Sequence, residues 1–247
     1  MLRFLFFLLA LCPLLACGAG FPDETLHYVI SYKWGLIHKD AGDATLSLRR
    51  VGPNYSITLT AKTKPWADRI YSVRDTLRAT VSADGLKPLS YAKITHEKGK
   101  YKVDEITYSI SGATTTGNAR RIRFDDGKRS VTEKTFSATG PVYDMLSVFY
   151  YLRSLNFSQL AADKVYKATV FSGRQKETIN IRYLGLETIK LKDKSQRRAY
   201  HIRFNFTRDG GKKSSEDMDT WISTDPAHIP LYLVAHLPVG EVRAYLQ

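Results

Sequence analysis

After residue 17 this chain of 247 residues has no cysteine: its only two are Cys12 and Cys17. A domain that begins beyond them has no disulfide and no thiolate, which excludes thiol nucleophiles and cysteine–zinc centres. Also lacking are a Gly-x-Ser-x-Gly elbow and a glycine-rich phosphate loop, so two common catalytic frameworks are absent. The six histidines, His27, His38, His96, His201, His228 and His236, form no pair at helical or zinc-finger spacing, so the sequence assigns no metal and no cofactor. Acidic residues such as Asp104, Glu105, Glu216, Asp217 and Asp219 are too scattered to single out a hydrolytic carboxylate pair. No catalytic residue is assigned, and the reading is non-enzymatic.

Long apolar runs are scarce too. The one example follows Arg3, spans Phe4 to Leu15, contains Pro13 and gives way to Ala16-Cys17-Gly18-Ala19-Gly20. A membrane-spanning helix needs about 20 apolar residues. A single positive charge, a shorter apolar stretch and a small-residue tail instead describe an export signal over residues 1–20. Two processing modes fit it. Leu14-Leu15-Ala16-Cys17 resembles a lipobox, which would make Cys17 a lipidated first residue; Ala16-Cys17-Gly18 equally suits an ordinary signal peptidase.

What remains, residues 21–247, has no Pro- or Ser-rich linker and reads as a single β-rich domain, large enough to be held by core burial alone. Hydrophobic content of 43% argues against disorder. The formal net charge is +13. In an exported protein this points to anionic lipid or acidic polysaccharide rather than to nucleic acid. Much of the charge falls at turns, including Arg49-Arg50 and Lys190 to Lys194, where it also serves a solvated surface.

Apolar residues alternate with polar ones along most of the domain, the mark of strands with one buried face. Leu26, Tyr28, Ile30 and Tyr32 share a face; so do Ala44, Leu46 and Leu48, and Tyr55, Ile57, Leu59 and Ala61. Tyr71 to Val81 reads as one long strand. Glu177 to Tyr183 and Leu186 to Lys192 read as two. Asp125-Asp126-Gly127-Lys128 is a hairpin turn. One segment departs from this period: from Pro141 to Ser154, Val142, Met145, Leu146, Phe149 and Tyr150 recur at helical spacing, which predicts one amphipathic helix over 141–154. The expectation is a mainly β protein, an antiparallel meander forming a curved sheet or barrel, with that helix on one face or plugging one end.

Aromatics make up 12% of the chain. Most suit a β core, but Trp34 and Trp66 stand near strand ends, where a ring can wall a pocket or support a sugar.

Four stretches in order resemble an envelope family of Gram-negative bacteria catalogued as domain of unknown function 3108. They are Tyr28 to Leu46, Tyr143-Asp144-Met145-Leu146-Ser147 to Arg153, Val170-Phe171 to Glu187, and Met218 to Asp225 followed by Ile229-Pro230-Leu231 and Pro238-Val239-Gly240. The resemblance implies an exported β-rich protein, periplasmic or outer-membrane-associated, with no known chemistry. It implies weight at Asp144, Ser147, Tyr150, Arg153, Glu187, Trp221, Asp225 and Pro230. Of these, Tyr150, Arg153, Glu187 and Trp221 join Trp34 and Trp66 as candidate ligand contacts, and Arg153 and Glu187 are candidates for an internal ion pair.

The leading expectation is an exported, non-enzymatic protein that holds an apolar or amphipathic, lipid-like ligand in a sheet-lined cavity. Membrane association would come only through a lipid anchor or the basic surface, and no nucleic acid is implied. The alternative is a scaffold contacting anionic polysaccharide or another envelope protein. A hydrolase is the remote third class.

Overall fold

The structure is a computed structural model that describes residues 20–247 apart from Asp126, Asp163, Asp209, Gly210 and Pro238, and apart from the side chains of Trp34 and Ile37. The expected export signal and the lipidation site at Cys17 lie outside the described residues.

Eight strands run as an antiparallel meander: β1 (Glu24–Trp34), β2 (Ile37–Val51), β3 (Asn54–Thr63), β4 (Val73–Ser82), β5 (Pro88–Glu97), β6 (Lys100–Ser111), β7 (Thr114–Asp125) and β8 (Lys128–Thr139). A single helical turn, α1 (Pro65–Asp68), stands between β3 and β4. Next come β9 (Val142–Asp144), α2 (Ser147–Arg153), β10 (Val165–Phe171), β11 (Lys176–Lys190), β12 (Gln196–Arg208), β13 (Met218–Ser223), β14 (Pro230–His236) and β15 (Glu241–Leu246). β15 pairs antiparallel with β1, from Tyr28↔Leu246 to Lys33↔Glu241, so both runs join in one 15-stranded sheet. The alternation sets the inner face: Leu48, Ile57, Val81, Tyr91, Ile106, Ile179, Ile202 and Phe204 are all buried in one core. Each such side chain contributes on the order of 1.5–3 kcal/mol by leaving water.

The sheet curls until its ends meet, but side chains close it rather than backbone. Phe171 of β10 packs against Tyr108 of β6 and Phe136 of β8, with ring centroids 6.1 and 5.5 Å away. Gly117 of β7 makes that approach possible: a Cβ there would lie 2.7 Å from the Phe171 ring. β8 and β9 remain the two hydrogen-bonding edges of a nearly closed barrel.

The predicted helix proves shorter and more deeply buried. Val142, Tyr143 and Asp144 form a parallel strand with β10, and helical structure starts only at Ser147. The Asp144 carboxylate decides the boundary, accepting hydrogen bonds from the backbone N–H of Leu146 and of Ser147, both at 2.8 Å. A carboxylate over free N–H groups is the ordinary way to begin a helix. Nor does α2 have a solvent face, since no residue from Val142 to Arg153 is exposed. It is an interior plug, and its polar members carry their partners in with them.

The expected long strand beginning at Tyr71 starts instead at Val73, leaving Tyr71 in the preceding loop, 43% exposed. The two strands expected over 177–192 are one, β11, with a register shift between Tyr183 and Gly185. Gly185 takes φ of 115°, a conformation that side-chain-bearing residues rarely adopt, and a bulge built on it bends the strand. Beyond the Ala199↔Ser223 pair, β11 and β12 continue as a two-stranded arm without β13. The arm turns back across the outside of the barrel: Lys192 at its tip pairs with Asp40 of β2 and stands 6.0 Å from the Tyr245 ring of β15.

Candidate functional site

The strand register gives the barrel two ends. The first, where β1 begins and β2 ends, is closed by α2. The second, where β1 ends and β2 begins, has a mouth. The candidate residues divide among three places rather than converging on one.

At the plugged end Arg153, 1% exposed, is held on every side. Both Glu24 carboxylate oxygens accept from its two terminal nitrogens, the second at 3.0 Å. The carbonyls of His228 and Ala227 accept from Nε and from a terminal nitrogen, each at 3.0 Å. The rings of Phe21 and Tyr150 lie 4.9 Å from the guanidinium. Tyr150 donates to Glu24 at 3.1 Å, and burial, first of all, with the Glu24 charge beside it, pushes its hydroxyl pKa far above the usual range. This cluster ties the start of β1 and the loop before β14 to the plug. The expected Arg153–Glu187 ion pair is not made, because these two residues lie on opposite faces of the sheet. Arg153 does border an outer hollow of about 730 Å³ shared with Phe21, Tyr55, Tyr143 and Tyr151.

Glu187 and Trp221 do meet, on the outer face. Trp221 Nε1 donates to Glu187 at 2.9 Å, and the indole heads a ladder of stacked rings through Tyr232 and Tyr245, with centroids 4.8 and 4.6 Å apart. His201 stacks on the other side of Trp221 at 4.3 Å. Its two ring nitrogens face Glu187 at 2.8 Å and Asp219 at 2.7 Å, an arrangement only the doubly protonated ring satisfies. Burial works against that charge, but the two carboxylates outweigh it and raise the His201 pKa. Asp219 shows the converse. Burial would raise it, yet hydrogen bonds from His201 and Arg203 bring it down to about 2.

The mouth holds a smaller but more apolar space. A cavity of about 560 Å³ lies between Ile30 and Tyr32 of β1, Ala61 of β3, Val73 of β4, Val242 of β15 and the α1 segment with Trp66 and Ile70. Its lining is mainly apolar and its volume is that of an ordinary small-ligand site. Ile70 is 71% exposed and Leu237 44%, so apolar surface continues from the cavity to the rim. Trp66 is anchored by its Nε1, which donates to the Asp40 carbonyl at 2.8 Å.

A second hollow, of about 730 Å³, adjoins the first and shares Trp66 as a wall. Leu191 and Tyr245 add to its apolar surface, and polar and charged groups stand among them: Ser31, His38, Lys39, Asp40 and Lys64, with Lys190 and Lys192 brought by the arm. Burial pulls the Asp40 carboxyl up, but hydrogen bonds from Lys192 and Ser31 and the Lys64 charge prevail and hold it below its usual range. Trp34 ends β1 at this same end of the barrel. Sequence reasoning found Trp66 and missed its neighbours. Ile70 and Tyr71 follow Trp66 at helical distance, a faint signal, while Lys190 and Lys192 gave none beyond a charge run.

Among the described residues no group of three His, Cys, Asp or Glu side chains is placed to hold a metal ion, and no helix is long and apolar enough to cross a membrane.

With this geometry in hand, comparison with known proteins adds fold and family. No curated protein matches the chain. Among solved structures it is similar to the crystal structure of a beta-barrel-like protein of domain of unknown function DUF1849 from Brucella abortus. The TM-score is 0.65 at 11% identity, with 92% of this chain and 97% of that one covered. At such identity the likeness concerns the fold alone. The model of the family described as protein of unknown function (DUF3108) matches residues 27–247, and the chain belongs to that family.

Proposed function

We propose that this protein is a non-enzymatic binding protein of the bacterial envelope that holds the apolar part of a lipid-like ligand in the mouth of its barrel. The observation that carries the reading is the mouth itself: an apolar cavity walled by Ile30, Tyr32, Ala61, Trp66 and Val242, with an exposed apolar rim. Water in contact with such a lining is displaced favourably by an aliphatic chain, at roughly 25 cal/mol per Å² of apolar surface covered. Placement in the envelope draws on the sequence of residues 1–20 and on the family resemblance.

The polysaccharide alternative draws less support. Trp221, Tyr232 and Tyr245 spend their faces on one another, and the Trp66 ring has Lys39 above it at 4.4 Å.

Native mass spectrometry of protein purified from its own envelope tests the proposal. The wild-type chain should carry a lipid-mass adduct. Ala61→Trp, which fills the cavity, should lack it, and Ile70→Glu at the exposed rim should weaken it without unfolding the barrel. A bare wild-type protein, or equal adducts on all three, would refute the reading.

A further inference from the structure

We infer that the ligand is an anionic amphiphile, its aliphatic chain in the apolar mouth and its phosphate or carboxylate head in the adjoining basic hollow. The inference rests on the reading of the mouth as a binding cavity and adds the sign, the place and the chemistry of the head group.

Three observations carry it. First, the two hollows share Trp66 as a common wall, so a single molecule bent around the indole can reach both. The Asp40 carbonyl holds the indole in place by accepting from Nε1. Second, the basic hollow collects Lys39, Lys64, Lys190 and Lys192 with His38 against one lining carboxylate, Asp40. Asp40 Oδ1 already accepts from Lys192 and from Ser31, whose hydroxyl donates at 2.6 Å. Lys64 has only a long contact, 3.8 Å, to Asp43. The positive charge there exceeds what the protein neutralises from within. Third, this excess is assembled by folding rather than by a local charge run. Lys190 and Lys192 arrive on the arm that the Gly185 bulge bends over the sheet, from strands distant in the sheet order from β2. A basic group carried across the barrel to the edge of an apolar cavity suits an anion attached to an apolar chain.

A neutral lipid would leave the excess positive charge uncompensated, and a cationic one would meet it directly. Free inorganic phosphate would find the charge but leave the mouth empty, so the tail must add affinity.

The test uses isothermal titration of the purified full domain with four probes: dodecyl phosphate below its micelle threshold, 1-dodecanol, dodecyltrimethylammonium and inorganic phosphate. Dodecyl phosphate should bind about tenfold or more tightly than dodecanol, as expected for a charged hydrogen bond. The cation and inorganic phosphate should bind most weakly. Lys64→Gln combined with Lys190→Gln should bring dodecyl phosphate down to the level of dodecanol while leaving dodecanol unchanged. Lys134→Gln with Arg174→Gln, in the basic hollow at the sheet seam, should change neither. Equal affinity for dodecyl phosphate and dodecanol would overturn the head-group site and leave the mouth reading standing. An equal loss from the seam variant would overturn it too, by showing that overall charge is responsible. If no dodecyl probe binds, both readings fail together.

Discussion

Removing the Glu24 carboxylate should cost this barrel heavily, because it strands a buried cation. Arg153 is 1% exposed and the Glu24 side chain 10%, and among the described residues that carboxylate is the one opposite charge on the guanidinium. Glu24→Ala would leave a buried cation with two backbone carbonyls and two aromatic faces. Breaking a buried ion pair from one side costs about 3–5 kcal/mol, chiefly because the remaining charge is uncompensated. The retained carbonyls and ring faces place the expectation at the lower end, about 3 kcal/mol. That is a large part of a total stability of roughly 5–15 kcal/mol. In a domain of this length it corresponds to a melting temperature lower by about 6–12 °C. Arg153→Met should cost a similar amount, since it leaves the buried carboxylate with the Tyr150 hydroxyl alone and takes the donor from both carbonyls. The double variant Glu24→Leu/Arg153→Met should lose clearly less than the two single losses added, because an apolar pair can replace a buried ionic one. Chemical denaturation followed by circular dichroism at neutral pH measures all three. Additive losses, or a Glu24→Ala cost below about 1 kcal/mol, would refute the reasoning by showing the pair to be solvated.

Closure by side chains makes its own prediction. Gly117→Leu drives a side chain into Phe171, already 2.7 Å from a Cβ at that position, and should cost about 1–3 kcal/mol in urea unfolding, partly restored by Phe171→Ala in the same chain. The His201 site should make stability depend on pH. Its folded pKa is raised, so its contribution is complete below the ordinary value of 6.5 and fades as pH rises through the folded pKa. Asp219 behaves oppositely: its contribution is complete above the ordinary 3.8 and disappears as acid approaches its folded value of about 2. His201→Gln should flatten the alkaline slope in thermal melts between pH 6 and pH 9, and a slope unchanged by the substitution would remove His201 as its source.

Much of this architecture is legible in the sequence. The alternation through Ala44, Leu46 and Leu48, or Tyr55 and Ile57, depends only on a period of two with one face out of water, so strands, inner face and hairpin turns follow from the residues themselves. The absence of cysteine after residue 17 equally determined that a core and not disulfides holds the fold. Helical spacing over 141–154 was real but incomplete. Periodicity reports which positions are apolar, and it does not report that Val142 to Asp144 find backbone partners on β10 or that the Asp144 carboxylate sets the first turn. For Arg153 the residue could be chosen and its partner could not, because Glu24 stands 129 positions away and only the closed barrel brings the two together. The same holds for the candidate site. Trp66 was visible as a ring near a strand end, but its neighbours on both sides came from the folding of the sheet. Ile30 and Val242 reach it through pairing of the first strand with the last, and Lys190 and Lys192 through the bend at Gly185. Local residue chemistry determined what each strand is; long-range pairing, which no local pattern encodes, decided what each side chain faces.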